Sequence, residues 1–163
     1  ARPLQGLALG LSAAYTHARY TRFTDAPCSA EALAAGATSC DLSGHRLVGS
    51  PDWIVNLNGR YDFTLHGGIS QYLSANYAWR SDAEGYIDDS KYARIRGYGL
   101  LNLAVGWLVP QGSNLWDLSL WARNATDKHY FQLAQTVQTP NSGAYVASAG
   151  APCTVGVTAR LDF

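Results

Sequence analysis

Nowhere among these 163 residues do apolar side chains run together for the roughly 20 positions that a membrane-spanning helix requires. Charge is scarce and balanced, with 12 Lys and Arg against 12 Asp and Glu. No basic face is left to neutralise phosphates, so nucleic acid and other polyanions are excluded as partners. Cysteine is nearly absent, with three in the chain. Cys28 and Cys40 share one polar, Ala/Gly-rich segment and Cys153 stands far away. None has the tight spacing of a zinc knuckle, and His17, His45, His66 and His129 are too distant in sequence to complete one, so neither a metal nor another cofactor is expected. Cys28 and Cys40 are expected to close a loop and Cys153 to stay unpaired, which implies an oxidising compartment. The chain has no Met and starts at Ala1. Residues 1–10 lack the basic start and apolar run of a secretory signal, so we expect a piece of a longer precursor.

What the chain does have is alternation, rich in its ten Tyr and five Trp. Across residues 53–65, Trp53, Val55, Leu57, Gly59, Tyr61, Phe63 and Leu65 share one parity while Asn56, Asn58, Arg60, Asp62 and Thr64 share the other. That is a two-faced strand, about twice as long as the 5 to 6 residues usual in soluble sheets and long enough to cross a bilayer at a tilt. Five further stretches repeat the pattern. Leu7, Leu9, Leu11, Ala13 and Tyr15 alternate with small residues, and Leu73, Ala75, Tyr77 and Trp79 oppose Ser74, Asn76 and Arg80. Leu101, Leu103, Val105, Trp107 and Val109 oppose Asn102, Ala104 and Gly106. Trp116, Leu118, Leu120 and Ala122 oppose Asp117, Ser119 and Arg123, with Trp121 a bulky exception on the polar side. In the last stretch Val155, Val157, Ala159, Leu161 and Phe163 oppose Thr154, Thr158, Arg160 and Asp162.

The connections run long, short, long, short, long. A segment holding Cys28, Cys40 and Pro51 is followed by a His66-Gly67-Gly68 turn, polar residues 81–93, a turn over residues 110–114, and a long stretch over 126–152. Outer-membrane barrels alternate periplasmic turns and external loops in this way. We therefore expect an all-β, antiparallel up-and-down fragment of a transmembrane barrel, with about six strands forming an open curved sheet. Helix is expected only near residues 29–35, where Ala is frequent. Trp53, Trp79, Trp107 and Trp116 fall near strand ends on the apolar parity, as residues of the headgroup girdles do.

Asn56, Asn58, Arg60, Asp62, Arg80, Asp117 and Arg123 would point into the lumen. Arg60 and Asp62 would form either part of a ligand path or a structural ladder with Arg80, Asp117 or Arg123, and the ladder is the preferred reading. No catalytic arrangement accompanies Asp88, Asp89 and Ser90, or Asp127, Lys128 and His129, so an enzyme is not expected. Alternative classes are a small non-receptor barrel or porin-like channel, and a secreted soluble β-sandwich or lipocalin-like binding protein, whose strands would be shorter.

The stretch Trp121-Ala122-Arg123-Asn124-Ala125-Thr126-Asp127-Lys128-His129-Tyr130-Phe131, with Tyr77-Ala78-Trp79-Arg80-Ser81, Gly97-Tyr98-Gly99-Leu100-Leu101-Asn102 and the aromatic terminal strand, resembles the C-terminal part of TonB-dependent outer-membrane receptors. Cys153 stands where such sequences often carry Arg, and Ala125 where Leu is more usual. The resemblance implies an outer-membrane location and uptake of a scarce ligand such as a ferric siderophore, a cobalamin or an oligosaccharide. It implies contact with lipid, coupling to TonB through a plug-bearing part upstream of these residues, and a C-terminus on the periplasmic side. It also implies that Val155, Val157, Ala159, Leu161 and Phe163 form the signal read by the barrel-assembly machinery, with Phe163 facing lipid at the periplasmic rim.

Overall fold

The computed structural model of the chain describes residues 1–64, 69–136 and 144–163. Six long strands make one antiparallel sheet: β1 (Leu7–Tyr15), β2 (Trp53–Thr64), β3 (Ser70–Arg80), β4 (Tyr98–Gln111), β5 (Asn114–Arg123) and β8 (Thr154–Asp162). Their order in the sheet is β1-β2-β3-β4-β5-β8, each beside its predecessor, and β1 and β8 form open edges. The wall is thus the up-and-down open sheet that the alternation predicts. Leu65 and the His66-Gly67-Gly68 turn lie outside the described residues.

Register carries the parity from strand to strand. Leu9 pairs with Gly59, Gly59 with Ala75, Ala75 with Leu103, Leu103 with Ala122 and Ala122 with Val155. The next row joins Gly10, Asn58, Asn76 and Asn102. One face is therefore apolar, apart from Gln71 between Phe63 and Trp107 near one end, and the other is mostly polar or small. A slip of one residue in any strand would exchange its faces, which is why the pattern specifies the register so strongly. Most aromatic residues of the apolar face lie toward its two ends, with Tyr77, opposite Leu57, between them. Tyr15 and Trp53, with ring centroids 4.9 Å apart, mark one end. Tyr61 and Phe63, 5.4 Å apart, lie toward the other. Ten residues separate Trp53 from Phe63, about 33 Å of strand, and a tilt near 40° reduces that to roughly the 25 Å apolar band of an outer-membrane barrel.

Two expectations need correction. The segment 126–152, read as loop, contains a separate two-stranded ribbon of β6 (Phe131–Thr136) and β7 (Tyr145–Ala149). Its strands are about half as long as those of the wall and shift register between Phe131 and Leu133, so no long period-2 signal announces them. The β4–β5 connection is shorter than residues 110–114, because Gln111 pairs with Asn114 and only Gly112 and Ser113 make the turn. Gly112 supplies the positive φ, 64°, that such a tight turn needs. Pro110 lies in β4 beyond its last described β3 pair at Leu108, where the missing N–H faces no described neighbour.

The wall contributes almost nothing to the buried interior. Among the described residues, Ala26, Leu42, Ala83, Ala93 and Ile95, all in the long connections, are the buried hydrophobic residues besides Tyr72. The connection between β1 and β2 holds the short helix α1 (Ala30–Ala34), with Ser29 as N-cap accepting from Ala32 N at 3.3 Å. A disulfide joins Cys28 to Cys40 with the Cα atoms 5.2 Å apart, and Cys153 is free and exposed.

Candidate functional site

All seven polar residues singled out in the sequence, Asn56, Asn58, Arg60, Asp62, Arg80, Asp117 and Arg123, fall on the same face of the sheet. They do not form one cluster. Arg60 pairs with Asp62 two residues along its own strand, Nη2 to Oδ1 at 2.9 Å, and its guanidinium lies 3.9 Å from the centre of the Tyr72 ring. The Tyr72 hydroxyl donates to Asp117 Oδ1 at 3.1 Å. None of the ion pairs among the described residues joins Arg60 or Asp62 to Arg80, Asp117 or Arg123, and a chain of contacts instead reaches from β2 to β5 through Tyr72, which sequence reasoning missed. Its signal is parity, because Tyr72 shares a face with Ser74 and Asn76. Arg80 and Arg123 take no part. Arg123 packs over Trp121, 4.9 Å to the ring, and makes none of the ion pairs seen among the described residues.

Trp121, the bulky exception of the polar parity, has a structural reason to be there. Its register partner is Gly156, and a Cβ on Gly156 would fall 2.2 Å from the indole, so the ring lies flat across a strand with no side chain. The indole N–H donates to Thr158 Oγ1 at 3.1 Å. Tyr72 covers Gly106 in the same way. Beside these rings a hollow of about 440 Å³ is lined by Asn58, Arg60, Asn76, Asn102, Trp121 and Arg123. A larger hollow of about 900 Å³, bordered chiefly by Leu73, Leu103, Val105, Leu120 and Val157, has few polar groups to orient a ligand. The smaller hollow has the larger share of polar lining, beside Gly59, Ala75, Leu103 and Ala122.

At the loop end of the sheet the three long connections are tied into a cap. Asp88 and Ser90 are 6% and 1% exposed. The Ser90 hydroxyl donates to both carboxylate oxygens of Glu31 at 3.0 Å, and Tyr145 of β7 donates to Asp88 Oδ2 at 2.7 Å. His45 Nδ1 lies 2.5 Å from Asp89, and Arg46 bridges Asp52 at 2.6 Å and Asp82 at 3.1 Å. The hydrogen bond from Arg94 holds the Asp82 carboxyl below the usual range. Burial, aided by the nearby Asp89 charge, pushes Glu84 up. Asp88, Asp89 and Ser90 have structural work here: each acid holds a partner from another connection.

The motif that begins at Asn124 is a corner between β5 and the last connection. Asn124 is 4% exposed with φ 48°. Its side chain donates to Lys128 O and Ala151 O, both at 3.0 Å, and accepts from Lys128 N at 2.8 Å, while its own N–H donates to Asn102 Oδ1 at 3.0 Å. Asp127 Oδ1 accepts from Cys153 N at 2.8 Å, pinning the far end of the connection. Asn tolerates the left-handed backbone better than other residues with a Cβ, and its amide satisfies both donors and acceptors. Asn124→Ala should destabilise the complete protein by about 1–3 kcal/mol in urea unfolding, the cost of leaving buried polar groups unpaired. Asn124→Gly, which relieves the backbone but not the lost bonds, should recover only part of it. Equal stability of all three proteins would show that the corner is held by other contacts.

An open antiparallel sheet, apolar across one face, mostly polar on the other, with the tight Gly112-Ser113 turn at one end and packed connections at the other, defines a segment of transmembrane β-barrel wall. The β-barrel family of TonB-dependent receptor-like proteins matches residues 2–125, and the chain belongs to that family. Among solved structures it is similar to BauA, the ferric preacinetobactin receptor from Acinetobacter baumannii, with a TM-score of 0.57 and 19% identity. That match covers 73% of this chain and 16% of BauA, so the chain spans about one sixth of that receptor's length. No curated protein matches.

Proposed function

We propose that this chain supplies wall and external loops to an outer-membrane receptor that takes up a scarce ligand with energy delivered through TonB. The apolar face meets lipid, the polar face lines the lumen, and the cap of connections faces outward, so that the C-terminus is periplasmic. The observation that carries the reading is the unbroken apolar row from Leu9 to Val155 in a chain of this family. Transport, not catalysis, is the role assigned. Ferric siderophores come first among the ligands to test, ahead of cobalamin and oligosaccharides, because BauA is a ferric preacinetobactin receptor. The test is accumulation of radiolabelled ferric siderophores and cobalamin by cells carrying the complete protein, with TonB present and absent. Uptake should vanish without TonB. Uptake that persists without TonB would instead favour a porin-like channel.

The last strand has an assembly role in this reading. Val155, Val157, Ala159 and Leu161 lie on the apolar parity of an edge strand, with Val155 and Val157 more than two-thirds exposed. Phe163 projects beyond the end of β8, which stops at Asp162, and is wholly exposed. We assign Phe163 to recognition by the assembly machinery during insertion, from the apolar alternation of β8 that leads up to it. Deleting Phe163 should lower the amount of receptor in the outer membrane several-fold while ligand affinity per assembled molecule stays unchanged. Normal assembly with impaired binding would move Phe163 to the ligand site.

A further inference from the structure

The connection from β1 to β2 and the connection from β3 to β4 meet along a seam in the cap. Gly49 N of the first donates to Glu84 O of the second at 2.8 Å. Arg46 reaches across to Asp82, which also holds Arg94, and His45 Nδ1 meets Asp89 Oδ2. Between these contacts lies a hollow of about 290 Å³, lined by Arg19, His45, Arg46, Glu84, Asp89 and Arg94.

The acids of the seam are unequally served. Asp82 has two arginines and Asp89 has His45, whereas the half-buried Glu84 side chain makes no hydrogen bond or ion pair among the described residues. Arg94 and Arg46 favour its charge and Asp89 and Asp82 oppose it, and burial with the Asp89 charge prevails, holding this carboxyl above its ordinary range. A carboxyl raised in the folded cap favours closure as the neutral acid, an effect present in acid and lost as pH rises through its folded value. His45 acts in the same sense. Its contact with Asp89 is an ion pair when the ring is protonated and a hydrogen bond between a neutral ring and a carboxylate when it is not.

The other charged groups around the seam are committed elsewhere. Asp82 is held low by Arg94, and Asp41, a further acid near His45, is held low by Ser43. Arg46 also pairs with Asp52 in its own connection. Arg19 donates to His17 Nε2 and Gly44 O, again within one connection, so the His17 ring does not bridge the seam. Glu31 accepts from Ser90 and Asp88 from Tyr145.

We propose that Glu84, Asp89 and His45 form a proton-operated latch between these two connections. With Glu84 neutral and His45 charged, Asp89 alone faces a cation and the seam closes. When both have lost their protons, two carboxylates share the hollow with a neutral ring and the seam loosens. With the cap facing outward, as in the transport reading, the pH that works the latch is that of the medium outside the cell.

The test is amide hydrogen exchange, read by mass spectrometry on the complete purified receptor at about pH 5.5 and about pH 8, either side of the imidazole range. Rates are corrected for the intrinsic pH dependence of exchange. Protection of the Gly49 amide, whose hydrogen bond crosses the seam, should fall about two- to fivefold from the lower pH to the higher, the scale of a partly exposed pair. Glu84→Gln stays neutral and His45→Gln stays uncharged at both values, so each should remove part of the fall and the double variant should remove all of it. Amides of β2 serve as the control and should keep their protection in all four proteins. Equal protection of Gly49 at the two pH values in the wild type, or a fall that survives undiminished in the double variant, would overturn the latch. Uptake is not part of this readout, so the latch and the transport reading fail separately.

Discussion

Leu103→Arg in the complete protein is expected to cost about 2–4 kcal/mol of barrel stability, the penalty for a cation near the middle of a lipid-facing strand. Leu103 lies within β4 between Ala75 and Ala122, and 42% of its surface is exposed. In water such exposure would be unremarkable for a single residue. Here it belongs to a continuous face that includes Leu57, Leu73, Leu120 and Val157, all exposed by more than a third, a patch too large for a soluble monomer to leave uncovered. The paired control is Asn76→Arg, on the opposite parity between Asn58 and Asn102, where a surface-type change within about 1 kcal/mol is expected. Folded barrel in outer-membrane fractions, read by its resistance to unheated detergent and by urea unfolding, should fall for Leu103→Arg and hold for Asn76→Arg. Equal losses, or the reverse order, would overturn the assignment of the two faces.

Replacing both Cys28 and Cys40 by Ser should loosen the cap by about 3 kcal/mol without unfolding the wall, since closing a loop of this length removes roughly that much chain freedom. The constraint matters because little else holds the segment. The helix α1 has five residues, far below the length at which a helix persists alone. The link brings Ala26 N within 3.0 Å of Cys40 O and keeps Leu42 buried, with its N–H on Phe23 O at 2.9 Å. It also presents Glu31 to Ser90 in the next connection. Cleavage of residues 29–37 by an added protease should therefore speed up by about two orders of magnitude in the double variant, the factor that 3 kcal/mol represents when opening and closing are fast relative to cleavage. Reduction of the native protein should reproduce it. Unchanged cleavage would mean that the bonds to Ser90 and Asp88 suffice to hold the cap.

Much of this was legible in the amino-acid order because alternation is a local property. The side chain of each residue in a strand points opposite to that of the next, so the parity of Trp53 to Phe63 identifies β2 and its two faces before any partner is known. Six such stretches determine the six strands of the wall, and the pattern of long and short connections determines their antiparallel order. The helix near Ser29 and the Cys28–Cys40 link are local in the same sense, separated by a few residues and by twelve. What only the tertiary structure decided lies in contacts between distant residues. Tyr145 meets Asp88 across 57 positions and Glu31 meets Ser90 across 59, so their role as ties between connections leaves no periodic trace. The ribbon of β6 and β7 is too short to announce itself by alternation. Tyr72 between Arg60 and Asp117, and Trp121 over Gly156, depend on register, which places residues of neighbouring strands side by side. Arg60 and Arg80 each have an acid two residues on, yet Asp62 stays in β2 and pairs with Arg60, whereas Asp82 lies past the end of β3 and is engaged by Arg46 and Arg94, which the folding of the connections brings to it.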